Sequence, residues 1–152
     1  MTVAERLAEL SLALPPVVPP VAAYVPAVRS GDLVFTSGQL PMVDGELPAT
    51  GKVGAQVTPE QAKELARTCA LNGLAAIDAL VGLDAVVQVV KVVGFVASTP
   101  DFTGQPGVVN GASELLGEVF TGDAGRHARS AVGVAALPLD APVEVELVVE
   151  VA

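Results

Sequence analysis

The chain closes with HARSAVGVAALPLDAPVEVELVVEVA, residues 127–152, and this stretch decides the fold. Its alternation of side chains predicts two β-strands joined by a proline-containing turn. In the second strand, apolar residues alternate with Glu144, Glu146 and Glu150. Such a strand has one buried face and one solvent-exposed face. From this pattern alone, all three glutamates are expected to be surface charges.

The first of these strands places a charge among small residues. One of its faces carries Arg129, Ala131, Gly133 and Ala135. Small residues permit close approach, so we expect this face to pack against another subunit. Arg129 is then either a charge at the rim of an interface or the anchor of an anion site.

Working outward, hydrophobic periodicity predicts the remaining elements. The helix N-terminus at Thr58-Pro59 has an N-cap hydroxyl followed by proline, with Gln61 placed to close a capping box, and Gly82 predicts its end. The predicted elements are a helix over Thr2–Leu14, strands over Tyr24–Arg29 and Asp32–Gln39, a helix over Thr58–Val81, a strand over Val86–Ala97 and a helix over Pro106–Phe120. With the closing strands, the order ββαβαββ predicts an α+β fold with two helices on one face of a mixed sheet.

Length and hydropathy predict one domain that self-associates. The 152 residues are expected to form a helical and proline-rich N-terminal extension, residues 1–21, and a single domain, residues 22–152. About half of the residues are apolar and the mean hydropathy is +0.59. No apolar run reaches the ~18–20 residues of a membrane span. We therefore expect the excess apolar surface to lie in a homo-oligomer interface rather than in a membrane.

Charge and composition exclude several functional classes. Eight basic residues against seventeen acidic ones give a net charge of −9, which disfavours nucleic acid as a partner. A single histidine and a single cysteine offer no zinc ligand set, so no metal site is expected. Cys69 lies among apolar residues in the predicted first long helix and is expected in the core. The N-terminus has no secretory pattern, which favours the cytoplasm.

A few polar residues remain as candidates for chemistry. His127 could pair with Ser37 or Ser130 in a nucleophilic arrangement, although lone serines and histidines are common. Asn72 lies on an apolar helix stripe and is expected to hydrogen-bond buried backbone. Residue pattern alone thus leads to an oligomeric α+β domain with an anion site that remains open.

Five segments taken together resemble a known family. They are Tyr24, VFTSGQLP at residues 34–41, Asn110 in Val109-Asn110, Arg129-Ser130-Ala131-Val132, and VEVE at residues 143–146. Their residues and spacing resemble the reactive-intermediate deaminase family, also called Rid, YjgF or endoribonuclease L-PSP. The resemblance covers about residues 22–152. The extra N-terminal segment and the differing span between Asn110 and Arg129 place this chain in a divergent branch.

The resemblance implies a chorismate-mutase-like fold and a barrel-like homotrimer with a cleft between each pair of subunits. It also implies an enzyme that needs no cofactor. Such a 2-iminobutanoate/2-iminopropanoate deaminase hydrolyses reactive 2-imino or 2-enamino acids to 2-keto acids and ammonia. Its partners would be a small carboxylate or imine substrate and copies of itself.

The resemblance also assigns roles to individual residues. Arg129 would bind the substrate carboxylate and Glu144 would hold the attacking water. The other cleft residues would be Tyr24, Ser37, Gly38, Asn110 and Ala131, the last standing where many members carry cysteine. Two alternatives remain: a non-catalytic trimer that binds a small carboxylate metabolite, and the ribonuclease activity in the family's older name.

Overall fold

Five strands form one mixed sheet, and two long helices pack together against one of its faces. The computed structural model describes all 152 residues. Its elements are α1 (Val3–Glu9), β1 (Ala27–Ser30), β2 (Leu33–Thr36), α2 (Pro59–Val81), β3 (Val86–Ala97), α3 (Gln105–Val119), β4 (Ala128–Val134) and β5 (Val143–Val151). The α+β class and the order of elements are confirmed.

The strand order is β1-β2-β5-β3-β4. Only β3 and β4 are parallel, and α3 provides the crossover that a parallel pair requires. The other neighbours are antiparallel. The two C-terminal strands are therefore separated by β3, with β4 at an edge of the sheet and β5 at its centre.

The core lies between the sheet and the two helices. It is built mainly from valine, leucine and alanine, including the fully buried Val92, Val96 and Leu147. Helix α2 begins where the sequence predicted, since the Thr58 hydroxyl accepts a hydrogen bond from the Gln61 N–H at 3.1 Å. The reciprocal bond from Gln61 is not formed, so the predicted capping box is only half made.

The N-terminal helix is shorter than predicted. It begins at the capping box formed by Thr2 and Glu5 and ends at Glu9 rather than Leu14. Ser11 has φ +56°, a left-handed conformation that takes the backbone out of the helix. The proline-rich segment that follows forms neither helix nor strand, because proline lacks the N–H that either would need.

The small-residue face of β4 lies on the same side of the sheet as the helices, and its packing against another subunit stays a prediction. Residues paired across neighbouring strands point to the same side of a sheet, and Arg129, Ala131 and Gly133 pair with core-facing positions of β3. They lie on the helix side of the sheet. A Cβ on Gly133 would lie 2.8 Å from the Nε2 of Gln105, the first residue of α3, which confirms that this face of β4 looks toward that helix.

The opposite face of the sheet has no helix over it. Val28, Phe35 and Val132 lie there and are 52%, 43% and 44% exposed. Glu144 and Glu146 share this face. No helix in the structure is both long and apolar enough to cross a membrane.

Candidate functional site

A change of register after β2 brings Gly38 against Glu144. Phe35 pairs with Val148 and Gln39 pairs with Val145, so three residues on one strand oppose two on the other. This bulge re-aims the chain at the end of the strand, as β-bulges do next to binding sites. The Gly38 N–H has no acceptor within the chain and is free to bind a ligand.

Gly38 is also the residue that lets the carboxylate come close. A Cβ at this position would lie 2.6 Å from the Glu144 Oε2. That distance is shorter than any ordinary contact, so a larger residue would displace the carboxylate. Glycine at this position therefore has a direct geometric reason.

Glu144 is unlike the other glutamates of β5. It is half-buried, and burial is the main reason why its pKa is raised above the ordinary value, with the nearby charge of Glu146 adding to the effect. A raised pKa brings a carboxyl group closer to the range in which it exchanges protons at neutral pH. Glu146 and Glu150 remain more ordinary charges of the same face.

The residues around Glu144 enclose a cavity of about 420 Å³. Tyr24, Ser37 and Gly38 line it together with Glu144. The Ser37 hydroxyl donates to the Val25 carbonyl oxygen at 2.6 Å, so this side chain fixes the cavity wall. Four of the seven predicted site residues thus meet in one place.

Arg129 and Asn110 form a separate group at the junction of β4 and α3. The Arg129 Nη1 donates to the Asn110 Oδ1 at 2.7 Å and to the Ser113 Oγ at 3.3 Å. Its Nη2 donates to the Pro106 carbonyl oxygen at 3.2 Å. The Nε–H and the second Nη2–H remain free, and these adjacent donors match the two oxygens of a carboxylate.

The charge of Arg129 has no counterion. Six of the eight basic side chains form ion pairs with acidic ones. The two that do not are Lys91 and Arg129. All three acceptors of Arg129 are neutral, although the chain carries seventeen acidic residues. A partly buried, oriented and unpaired guanidinium is a site suited to an anion.

A histidine and a serine hold this arginine from one side. The His127 Nδ1 lies 2.9 Å from the Gly125 carbonyl oxygen, and its Nε2 lies 2.9 Å from the Ser113 Oγ. Because a carbonyl only accepts, Nδ1 carries a hydrogen and donates it to Gly125, while Nε2 is hydrogen-bonded to the Ser113 hydroxyl. His127 therefore pairs with Ser113, and neither Ser37 nor Ser130 is its partner.

The two groups of residues lie on opposite sides of the sheet. Glu144 pairs with Phe95, which pairs with Val132, three residues from Arg129. Successive side chains of a strand point to opposite faces, so an offset of three residues puts Arg129 and Glu144 on opposite faces of the sheet. Two inter-strand spacings across the sheet and three residues along it separate their Cα atoms by roughly 14 Å. Within one chain, a small ligand cannot contact Arg129 and Glu144 together.

The remaining candidates have structural surroundings. Ala131 lies on the Arg129 face and packs against the core. The Asn72 Nδ2 donates to the carbonyl oxygens of Leu40 and Met42, at 3.0 and 3.1 Å, as expected of a buried amide. Cys69 is fully buried, and burial raises the pKa of its thiol.

Sequence reasoning missed Ser113 and the link to His127, although both left a signal. Ser113 follows Asn110 by three residues, a spacing that places two side chains on one face of a helix. His127 precedes Arg129 by two residues, which places both on one side of an extended chain. It also missed that Val18, Val21 and their neighbours line the Glu144 cavity.

Comparisons with known proteins agree with this architecture. The sequence profile of the endoribonuclease L-PSP family matches residues 16–151. The protein TCP17 of Trypanosoma cruzi is 46% identical over 97% of this chain and 93% of its own length. The 2-iminobutanoate/2-iminopropanoate deaminase of Escherichia coli K12 is 36% identical over 84% of this chain and 87% of its own length.

A solved structure extends the likeness to almost the whole chain. A protein of unknown function from Agrobacterium tumefaciens superposes with a TM-score of 0.88 at 44% identity, covering 99% of this chain and 92% of its own. The fold and the motif residues define a YjgF-type α+β protein. The chain belongs to the endoribonuclease L-PSP family, also called Rid or YjgF, as its motifs predicted.

Proposed function

We propose that this protein hydrolyses reactive 2-imino and 2-enamino acids to 2-keto acids and ammonia. The reaction takes place in the cytoplasm, in clefts between the subunits of a homotrimer. The unpaired, partly buried guanidinium of Arg129 carries the proposal, because it calls for a small anionic ligand. The deaminase name of the Escherichia coli relative supports this reaction class.

Arg129 binds the carboxylate of the substrate. Its free Nε–H and Nη2–H make two parallel, charge-assisted hydrogen bonds, which fix both position and orientation. Asn110 and Pro106 hold the opposite donors of the guanidinium and so aim it. The free Gly38 N–H supplies a further donor from the other half of the cleft.

Glu144 acts on the water that attacks the imine. The substrate reacts as the protonated imine. The Glu144 carboxylate takes a proton from the water as its oxygen bonds to C2, and the C=N π electrons pass to nitrogen, which gives a neutral carbinolamine. Glu144 then returns this proton to the nitrogen, the C–N bond breaks and ammonia leaves. The C2 hydroxyl gives its proton back to the Glu144 carboxylate as the 2-keto acid forms. The raised pKa of Glu144 suits a group that first accepts a proton and then donates it.

The placement of the two groups on opposite sides of the sheet supports a site shared between two subunits. Glu144 with Gly38 supplies one half of a cleft, and Arg129 of a neighbouring copy supplies the other. The uncovered sheet face, with Val28, Phe35 and Val132 exposed, offers the apolar surface that such an assembly would bury. Closed cyclic symmetry then gives three equivalent clefts in a trimer.

Ribonuclease activity is disfavoured by charge. A net charge of −9 repels a phosphate backbone, and most basic side chains already pair with acidic neighbours. Only Lys91 and Arg129 are unpaired, and they do not form a basic stripe. The site is therefore better suited to a single small anion.

Turnover of a trapped imine tests this function. An amino-acid dehydratase acting on serine or threonine generates 2-iminopropionate or 2-iminobutyrate, and semicarbazide competes for the imine. The protein should speed imine loss, and Arg129→Ala should lower kcat/KM by about a hundredfold because a charge-assisted carboxylate contact is removed. Arg126→Ala is the matched control, since Arg126 is exposed and pairs with Asp123 at 3.4 Å.

Two results would contradict the proposal. If the protein does not speed imine loss, and Arg129→Ala behaves identically, deamination of these substrates is ruled out. If Arg129 is needed to bind a 2-keto acid but no imine is turned over, the site is that of a non-catalytic carboxylate-binding trimer.

A further inference from the structure

We propose that the proline-rich segment, residues 15–22, sets the substrate specificity of this site by forming an apolar wall of the Glu144 cavity. This inference rests on the proposed function. The segment precedes every motif that the sequence analysis assigned to the site. Its residues Val18 to Ala22 nevertheless line the same cavity as Glu144.

Side-chain chemistry makes this wall selective. Val18, Pro19 and Val21 line the cavity together with Leu40 and Met42, and Glu144 is the only carboxylate in the lining. The carboxylate of the substrate belongs at the arginine half of the cleft. The part of the substrate that enters this cavity is therefore its side chain, and an apolar side chain fits.

The segment is also built to keep its shape. Four prolines at positions 15, 16, 19 and 20 restrict the backbone to extended conformations. Tyr24 holds the C-terminal end of the segment, because the Val21 N–H donates to the Tyr24 hydroxyl oxygen at 3.3 Å. A rigid wall discriminates between side-chain sizes better than a mobile one, since little ordering is needed on binding.

The cavity volume indicates the size class. About 420 Å³ lies within the range of pockets that hold ligands much larger than a three-carbon acid. The structure thus favours 2-imino acids whose side chains are branched or longer, such as the imine derived from leucine, over 2-iminopropionate. Each additional methylene that the substrate buries in this cavity should raise kcat/KM, relative to the shorter substrate, by about tenfold or more.

Matched phenylalanine substitutions test the wall. D-Amino-acid oxidase with catalase generates the imines of alanine and leucine, and semicarbazide trapping gives kcat/KM for each. Wild type should prefer the leucine-derived imine. Val18→Phe should lower that preference by about tenfold, with the alanine-derived imine changed less than about twofold. Val17→Phe is the control, because Val17 lies in the same segment but does not line this cavity.

A second variant covers the case in which Val18→Phe misfolds. Met42→Ala enlarges the same cavity at a lining residue outside the segment and should shift the preference toward still larger side chains. An unchanged leucine-to-alanine ratio in every variant that folds would overturn the inference while leaving the deaminase function intact. Absence of turnover on either imine in the wild type would instead overturn the proposed function, and this inference with it.

Discussion

At the residue scale, the site depends on small differences between chemically identical side chains. Glu144 and Glu146 lie two positions apart on one strand face, yet only Glu144 lines the cavity, where burial raises its pKa. Gly38 makes this difference possible by allowing the carboxylate to lie against the backbone. Sequence pattern alone assigned both glutamates to the surface, because burial by a neighbouring bulge leaves no periodic signal.

Replacing Glu144 should separate stability from activity. Because burial raises the folded-state pKa, the neutral form stabilises the fold below the unfolded pKa, and this contribution is lost as pH rises through the folded pKa. Glu144→Gln should therefore raise the midpoint of thermal unfolding at about pH 7 but not at about pH 4. The same variant should lose imine hydrolysis. A lower midpoint at neutral pH would show that ionised Glu144 is stabilised by another group.

Ser113 should act on substrate binding through Arg129. Its hydroxyl accepts from the Arg129 Nη1 and bonds to His127, so Ser113→Ala releases one side of the guanidinium. We expect KM to rise about threefold to tenfold, the value of one hydrogen bond, with kcat nearly unchanged. Steady-state kinetics check this against Ser30→Ala, an exposed serine of β1. A fall in kcat with unchanged KM would contradict a positioning role.

At the element scale, the sequence predicted the regular elements well and their irregular junctions poorly. β3 matches its valine-rich run from Val86 to Ala97 at both ends. Propensity and capping are local properties, so they can be recognised in a single sequence. The bulge at Gly38 depends on the pairing of β2 with a strand more than a hundred residues later, which no local pattern records.

Asn72 shows how α2 supports the cavity. Its amide holds the backbone of residues 40–42, which line the site, through two hydrogen bonds. Asn72→Asp removes both donors and turns a buried carboxylate toward two carbonyl oxygens. We expect the free energy of unfolding to fall by about 3 kcal/mol. Chemical denaturation measures it, with the exposed Gln61→Glu in the same helix as control; equal stability of the two variants would contradict this role.

At the scale of the whole molecule, the sequence predicted the residues of the site but not how one chain divides them. Four of the motif residues line one cavity: Tyr24, Ser37, Gly38 and Glu144. Arg129 and Asn110 lie on the other side of the sheet. Motif residues indicate which side chains belong to a site, whereas the face of the sheet that each side chain occupies depends on strand pairing. The side of the sheet on which the small residues of β4 lie likewise depends on how β4 pairs with β3.

Complementation between inactive variants tests the two-subunit cleft most directly. Arg129→Ala and Glu144→Gln are each expected to be inactive as homotrimers. Co-expressed in equal amounts, they should give a trimer population with about a quarter of the wild-type imine-hydrolysis rate, because random assembly gives about one cleft in four an intact Arg129 from one chain and an intact Glu144 from its neighbour. No recovery of activity in mixed trimers of confirmed composition would contradict the account, because it would mean that both residues must act from the same chain.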